Sequence, residues 1–137
     1  MSDVYGAMGS ALYSALAAGT ALVSALGGTA IYDSVIPQVG GTRFVVFQPQ
    51  AGGEDNTSPR RARTCWYFVK AVSSVGAQNA GVIDGLVDTL LHEATLTVTG
   101  WGNYRTTRES DVAYVDDTAG QLWWHRGALY RVRIAEP

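Results

Sequence analysis

Apolar and polar residues recur with two different periods along this chain, and the change between them is sharpest near its middle. Residues 62–70 are rich in aromatic and β-branched side chains, which predicts a β-strand. Ser73 and Ser74 follow and offer an N-cap for a helix. Over 76–93 the apolar residues recur at helical spacing, which predicts an amphipathic helix. Its apolar stripe comprises Ala80, Ile83, Leu86, Val87, Leu90 and Leu91.

The strand at 62–70 does not alternate between apolar and polar residues at its centre. From Cys65 to Val69 both of its faces are apolar, so we expect both faces to be covered in the folded protein. The helix that follows can cover one face only. The second cover is expected to come either from the N-terminal segment or from another subunit.

The N-terminal segment predicts two helices. The first, at about 5–18, has apolar residues at helical spacing, and the second, at about 20–26, can be capped by Thr20 and ended by Gly27 and Gly28. No charge lies between Val4 and Tyr32, but small residues dilute this stretch and no basic residue precedes it. A spanning helix needs about 20 strongly apolar residues, and a signal peptide needs a basic start. We therefore expect a soluble, cytoplasmic protein that does not contact a membrane.

The remaining pattern predicts a loop over 31–38 and strands at about 43–48, 95–101, 104–115 and 121–135. Asp116 to Gly120 form a turn, and Gly127 predicts a bulge in the last strand. This order of elements predicts a single α+β domain over 1–137. One mainly antiparallel β-sheet would be covered by the N-terminal helical segment and by the central amphipathic helix.

Composition narrows the classes of function. Charged residues make up 16% of the 137 residues, which is low against the usual quarter. Either part of the surface is hidden in an assembly, or the protein is a weakly charged monomer. The net charge of −2 provides no general attraction to nucleic acid.

Few residues have the types and spacing that chemistry requires. Cys65 is the only cysteine, so no intrachain disulfide can form, and its apolar surroundings are typical of an inert thiol. Together with His92 and His125 it matches no zinc-binding spacing. Asp84 and Asp88 lie one turn apart, opposite the apolar stripe, so we expect them on a solvated helix face. The sequence therefore predicts no catalytic, cofactor-binding or metal site.

Residues 50–59 form the most polar segment and predict a long loop between two strands. We expect this loop to be mobile in the free protein and ordered in an assembly, the residues concerned being Gln50, Glu54, Asp55, Asn56 and Pro59. The residues that follow include Arg60, Arg61 and Arg63. These arginines could bind an acidic partner or a phosphate, or they could simply be solvated.

Trp123 and Trp124 are adjacent within the last predicted strand. Neighbouring side chains of a strand point to opposite faces, so at least one tryptophan faces away from the helices. A stacking platform for nucleic acid is conceivable, but the charge is wrong for it. A core residue beside an interface anchor is the favoured interpretation, because tryptophan is enriched at interface hot spots.

Four weakly informative stretches follow one another along nearly the whole chain. They are ALYSAL and ALVSALGG at 11–16 and 21–28, IYD at 31–33 leading to FVVF at 44–47, the aromatic strand with the helix 81–91, and the turn 116–120 before YRVRI at 130–134. Their order and spacing resemble the tail-terminator, or tail-completion, proteins of long-tailed bacteriophages and related prophages. Asp117–Thr118, where Asp-Pro would be commoner, and Trp123–Trp124 depart from that family's pattern.

The resemblance implies a structural protein with no catalytic residues and no cofactor. It implies a ring, typically a hexamer, that caps the head-proximal end of the tail tube, stops tube polymerisation and provides the joint to the head. The implied partners are further copies of this chain, the major tail tube protein and the head-completion or connector protein; contact with the tape-measure protein is left open. DNA would pass through the lumen without specific binding, and the protein would assemble in the host cytoplasm and stay in the tail or neck of the virion.

Three other hypotheses remain open. The first is another head–tail connector component, such as a head-side stopper, which would bind portal complexes rather than purified tail tubes. The second is an enzyme with Cys65 as its nucleophile, which rapid labelling of the native thiol would support. The third is a generic α+β ligand-binding domain, which should remain monomeric.

Overall fold

A five-stranded sheet carries the described helices on one of its faces. The structure, a computed structural model, describes residues 4–34, 41–54, 61–118 and 120–135. Within these ranges the elements are α1 (Val4–Ala17), α2 (Thr20–Leu26), β1 (Ile31–Asp33), β2 (Arg43–Glu54), β3 (Ala62–Ser73), α3 (Ala77–Leu91), β4 (Gly102–Thr118) and β5 (Gln121–Ala135).

The strand order is β1-β2-β3-β5-β4, and only the pair of β1 with β2 is parallel among the described strands. The predicted α+β architecture is therefore confirmed: a mainly antiparallel sheet packs against the N-terminal helices and the central helix.

The main core lies between the sheet and the three helices. The antiparallel register places Cys65 opposite Val132, and Tyr67 opposite Tyr130, on the face toward the helices. These residues belong to one buried cluster with side chains of α1, α2 and α3. The predicted stripe of α3 is confirmed, because Ala80, Ile83, Val87 and Leu91 are buried while Leu86 and Leu90 pack against the cluster.

The helix termini differ from the sequence prediction in their caps. The N-cap of α3 is Gly76, without a side-chain hydrogen bond, rather than Ser73 or Ser74. Ser73 is the last residue of β3, where its hydroxyl donates to Asn79 at 2.8 Å and accepts from the amide of Val75 at 3.0 Å. Its side chain thus stabilises the strand-to-helix turn and does not cap the helix.

The two N-terminal helices meet at a sharp corner. The N-cap of α2 is Gly19, so Thr20 is its first residue rather than its cap, and Gly27 ends the helix in the left-handed conformation. A Cβ atom at Gly19 would lie 2.4 Å from Cδ1 of Leu90, so the corner packs directly on α3. No described helix is by itself long and apolar enough to cross a membrane; α1 and α2 meet those requirements only as a pair, which is bent by 84°.

Two predicted segments have a different structure. Residues 31–33, expected in a loop, form β1, because their backbone pairs in parallel with Val45–Phe47 of β2. Residues 95–101, expected as a strand, are an irregular connection. Leu96 and Val98 are buried and the alternating threonines at 95, 97 and 99 are exposed, so the alternation is real. This segment nevertheless does not join the described sheet, in which β4 is an edge strand.

The predicted loop at 50–59 begins later than expected. Gln50 and Glu54 lie within β2, which keeps pairing with β3 as far as Glu54 opposite Arg63. A bulge between Pro49 and Ala51 accommodates Gln50. The two glycines at 52 and 53 have no side chain that would oppose this extension. Asp55, Asn56, Pro59 and Arg60 lie outside the described residues, so the predicted mobility remains a prediction.

Gly127 does not form the predicted bulge. It pairs in continuous register with Lys70 of β3 and Val112 of β4. A Cβ atom at this position would lie 2.4 Å from both Cβ of Lys70 and the carbonyl oxygen of Val69, so glycine permits a close approach of two backbones. The register shifts lie instead in β4, between Asn103 and Arg105 and between Arg108 and Ser110.

Candidate interaction surface

The sheet has one face toward the helices and one face that no described helix covers. We call the second the open face; it carries Phe44, Val46, Trp66, Phe68, Lys70, Val72, Trp123, His125, Leu129, Arg131 and Arg133. Since α1, α2 and α3 all pack on the other side, the helices of the N-terminal segment, which are one of the two covers that the sequence allows, do not cover this face.

The centre of the open face is apolar and only half-buried. Phe68 of β3 lies between Gln48 of β2 and Leu129 of β5, and neither Phe68 nor Leu129 belongs to a buried cluster. Trp66 is also half-buried, with the guanidinium of Arg131 5.9 Å from its ring centre. A half-buried aromatic centre on the two middle strands of a sheet is typical of a surface that a partner covers.

A row of aromatic rings crosses one end of the open face. The ring centres of Tyr32 and Phe44 are 5.8 Å apart, and those of Phe44 and Trp123 are 5.7 Å apart. Trp124 lies on the opposite face, half-buried and across from Ser73 and Val115. The two tryptophans therefore point to opposite faces, as the sequence predicts.

His125 joins three strands on the open face. It is 7% exposed; its Nε2 lies 2.7 Å from Oδ2 of Asp116, and its ring stacks on Tyr114 at 4.2 Å. Lys70 donates a 2.7 Å hydrogen bond to the hydroxyl of Tyr114. Burial lowers the pKa of His125, and the nearby Lys70 lowers it further, while the hydrogen bond with Asp116 opposes them.

The tautomer of His125 follows from its partner. Because the carboxylate of Asp116 can only accept, the neutral ring carries its proton on Nε2 and donates it to Asp116. Nδ1 is then a buried acceptor, which has no hydrogen-bond partner in the described part of the chain. Protonation would turn it into a buried donor without an acceptor.

Asp84 and Asp88 are not on a solvated face, which corrects the sequence prediction. The guanidinium of Arg108 binds both oxygens of Asp84 at 3.1 and 3.0 Å. The hydroxyl of Tyr130 donates to Asp88 at 3.0 Å, and Nε of Arg108 binds Asp111 at 3.0 Å. The side chains of Arg108 and Asp84 are 21% and 17% exposed. This ionic network connects α3 to β4 and β5.

The network also sets the pKa values of its members. The hydrogen bonds with Asp84 raise the pKa of Arg108, so the guanidinium is permanently charged. Burial, followed by the charge of Asp88, raises the pKa of Tyr130. Every strong acceptor and donor here has a partner in the fold, so the network acts as a structural link. Helical periodicity could not reveal it, because Arg108 comes from a strand whose register the sequence does not give.

Cys65, His92 and His125 do not form a common site. Cys65 is fully buried on the helical face, and burial raises the pKa of its thiol despite the nearby Arg63. His125 lies on the open face opposite Val72, and Nδ1 of His92 accepts a 3.2 Å hydrogen bond from the backbone amide of Arg108. No group of three His, Cys, Asp or Glu residues within the described ranges could hold a metal ion.

The predicted arginine cluster is only partly described. Arg63 lies 5.9 Å from the ring centre of Tyr5, on the side of the sheet that carries α1. Arg61 is half-buried just before β3, and Arg60 lies outside the described residues. The two described arginines of this cluster thus lie at the start of β3, at the opposite end of that strand from the tryptophan pair.

The same arrangement of helices and strands occurs in a solved virion. A chain of the "Virion of native gene transfer agent (GTA) particle" superposes with a TM-score of 0.84, covering 98% of this chain and 99% of that chain at 20% identity. This chain has the fold of a virion component. At this identity the likeness concerns the fold alone. Models of protein families gave no match, and neither did curated protein sequences.

Proposed function

We propose that this protein is a structural component of a phage-like virion and that it serves there as the tail terminator. The observation that supports this is the agreement of its fold with a gene transfer agent virion chain over almost the whole of both chains. The order of weak sequence signals, which resembles the tail-terminator family, supports the tail end as the place of this component within such a particle. In this role the protein forms a ring on the head-proximal end of the tail tube.

The use of ionisable groups supports a structural role. Arg108, Asp84 and Asp88 connect a helix to the sheet, and His125 with Asp116 connects neighbouring strands. The single thiol is buried with a raised pKa, which is the opposite of an activated nucleophile. These contacts stabilise a subunit whose work is to be held in place by its neighbours.

The open face supports assembly into a ring. Its half-buried aromatic centre would be covered by a neighbouring copy, and Trp123 or Trp124 would contribute to that contact. Heterologous contacts of this kind close into a ring when the rotation between copies is right. The ring would bind the major tail tube protein on one side and the head connector on the other. The weak net charge of −2 would allow DNA to pass without sticking.

Deleting the gene tests the proposed function. A tube of stacked rings grows because each ring exposes the surface that the next ring recognises, so growth continues until a different protein caps it. Without this protein, we expect separate heads and headless tails, with many tubes longer than normal in electron micrographs. Tails of normal length joined to heads would contradict the proposal. Tails of normal length that do not join heads would instead favour a head-side connector.

A further inference from the structure

The hairpin of β4 and β5 extends beyond the rest of the sheet. The last pair between β3 and β5 joins Ser73 to Trp124, whereas β4 and β5 continue for three more pairs. These pairs are Asp116 with Trp123, Asp117 with Leu122, and Thr118 with Gln121. We call residues 116–118 and 121–123 the arm. At about 3.3 Å per residue it projects roughly 10 Å beyond β3.

The arm combines exposed apolar side chains with acidic ones. Leu122 is 44% exposed, and Val115 at the base of the arm is 52% exposed. Asp117 lies opposite Leu122 and is exposed. The arm carries two acidic residues, Asp116 and Asp117, and no lysine or arginine. An apolar tip with negative charge beside it is suited to bind a surface that is apolar and positively charged.

The centre of the open face has those two properties. Phe68 and Leu129 are half-buried beside each other, and Trp66 lies one pair further along. Three basic residues flank them on this face: Lys70, Arg131 and Arg133. Among the described residues, the acidic side chain beside the apolar centre is Glu109, whose carboxylate lies 3.1 Å from Nε of Arg131. Asp116 lies further away, at the arm end of this face, where it pairs with His125. The balance of charge around the apolar centre is therefore positive, opposite to that of the arm.

Trp123 at the base of the arm packs on Phe44 at the end of its own open face. Leu122 and Asp117, nearer the tip, cannot reach the centre of that face. The arm continues the strands β4 and β5 outward, so it points along the plane of its own sheet and away from the sheet centre. A second copy can present its open face to the arm, and each copy has one arm and one open face. Contacts between two different surfaces of identical subunits are heterologous, which is the geometry that closes into rings.

We propose that the arm of one copy docks on the open face of the next, with Leu122 against the apolar centre and Asp117 toward Arg131 and Arg133. This inference rests on the proposed ring and specifies the contact between its subunits. It also explains why a central strand with two apolar faces receives a helical cover on only one of them.

Two variants, each defective in one half of the contact, test this arrangement. Leu122→Asp damages the arm and leaves the open face intact; Arg131→Glu damages the open face and leaves the arm intact. Both side chains are substantially exposed, 44% for Leu122 as a residue and 48% for the side chain of Arg131, so both variants should fold. Each should weaken self-association by about tenfold or more. Leu129→Ser provides a second open-face variant, and circular dichroism confirms folding.

The mixture of the two variants gives the sharper result. The intact arm of the Arg131→Glu variant should dock on the intact open face of the Leu122→Asp variant. The reverse contact should fail, because it would bring the two introduced carboxylates together. We therefore expect a 1:1 heterodimer and no larger species in sedimentation velocity. NMR titration at about 1 mM extends the measurement to weak association. Val82→Asp, a matched change at a 56% exposed site on α3, should behave as the wild type.

Charge reversal tests the orientation of the arm. Asp117→Arg and Arg131→Glu should each reduce association, and the two changes combined in one chain should restore it. The proposal is overturned if the arm and open-face variants fail to bind each other at about 1 mM, or if both associate as the wild type does. It is also overturned if the open-face variants assemble normally but retain DNA poorly, because the face would then line the channel.

These results are independent of the gene deletion. Overlong headless tails together with no binding between the variants would remove this contact and leave the proposed function standing. Binding between the variants together with normal tails in the deletion strain would remove the proposed function and leave the contact.

Discussion

The two faces of the sheet are built from the same strands but are completed in different ways. On the helical face, Cys65, Tyr67 and Val69 are fully buried against α1 and α3. On the open face the intervening Trp66 and Phe68 are equally apolar yet half-buried. The apolar residues of a strand thus require that its faces be buried, but they do not specify which part of the chain or which partner covers each face. On one face the chain itself does so, and on the other we propose that a second copy does.

The largest expected difference is between two identical substitutions, one on each face. Leu91→Ala, on α3, removes a fully buried side chain and should lower the free energy of unfolding by about 2–5 kcal/mol. Leu129→Ala on the open face should cost about 1 kcal/mol or less in the isolated chain. Urea denaturation measures both. Equal costs would mean that the open face is already covered within one chain.

The tryptophans provide the next test. Trp123→Ala or Trp124→Ala should weaken assembly by about 2 kcal/mol or more at each contact if that residue anchors the interface. Light scattering at matched concentration, together with incorporation into particles, measures it. Trp101, which is 9% exposed within the main core, is the control, because Trp101→Ala should reduce stability rather than assembly. If Trp123 and Trp124 can both be replaced and particles assemble normally, they are not part of the interface.

The ionic network around Arg108, on the helical side of the sheet, should contribute less to the free energy of unfolding than the buried Leu91. Arg108→Met leaves Asp84 and the hydroxyl of Tyr130 without their guanidinium partner, so stability should fall by about 1–3 kcal/mol. Arg105→Met is the matched control, because Arg105 pairs with Glu93 at the exposed surface, and this change should leave stability nearly unchanged. Thermal unfolding of the two variants compares them directly. Equal losses would show that burial of the Arg108 network contributes nothing.

Local periodicity predicted those parts of the fold that depend on one element and its core. The stripe of α3 and the strands at 62–70 and 121–135 are examples, because burial on one side leaves a regular trace in the sequence. The parallel pairing of β1 was missed, because three residues are too few to show a period and their partner is a distant strand.

The candidate interaction surface was only partly predictable. The sequence indicated that the central helix covers only one face of the central strand, but what covers the other depends on where the N-terminal helices pack, and the sequence left that open. The roles of Asp84 and Gly127 were also misjudged, since Arg108 and Lys70 reach them from other strands. Register between distant strands is set by the whole sheet, and no local pattern records it.

The smallest expected effect is a pH dependence that belongs to the open face. The group concerned is His125, which is enclosed by Asp116, Tyr114 and Lys70 and whose pKa is lowered mainly by burial. A histidine with a folded-state pKa below its unfolded value of about 6.5 contributes stability that is present above that pH. The contribution is lost as the pH falls through the folded-state pKa. The Arg108 network should give no such dependence in this range, because its guanidinium stays charged.

We therefore expect the wild type to lose stability between about pH 7.5 and 5, and His125→Gln to lose less over the same range. Denaturant titrations at a series of pH values measure the slope. If His125→Gln keeps the full slope, the titrating group lies elsewhere and the two faces do not differ in pH response. If the slope disappears with His125 alone, acid acts on the open face by protonating the buried ring of His125 beside the arm.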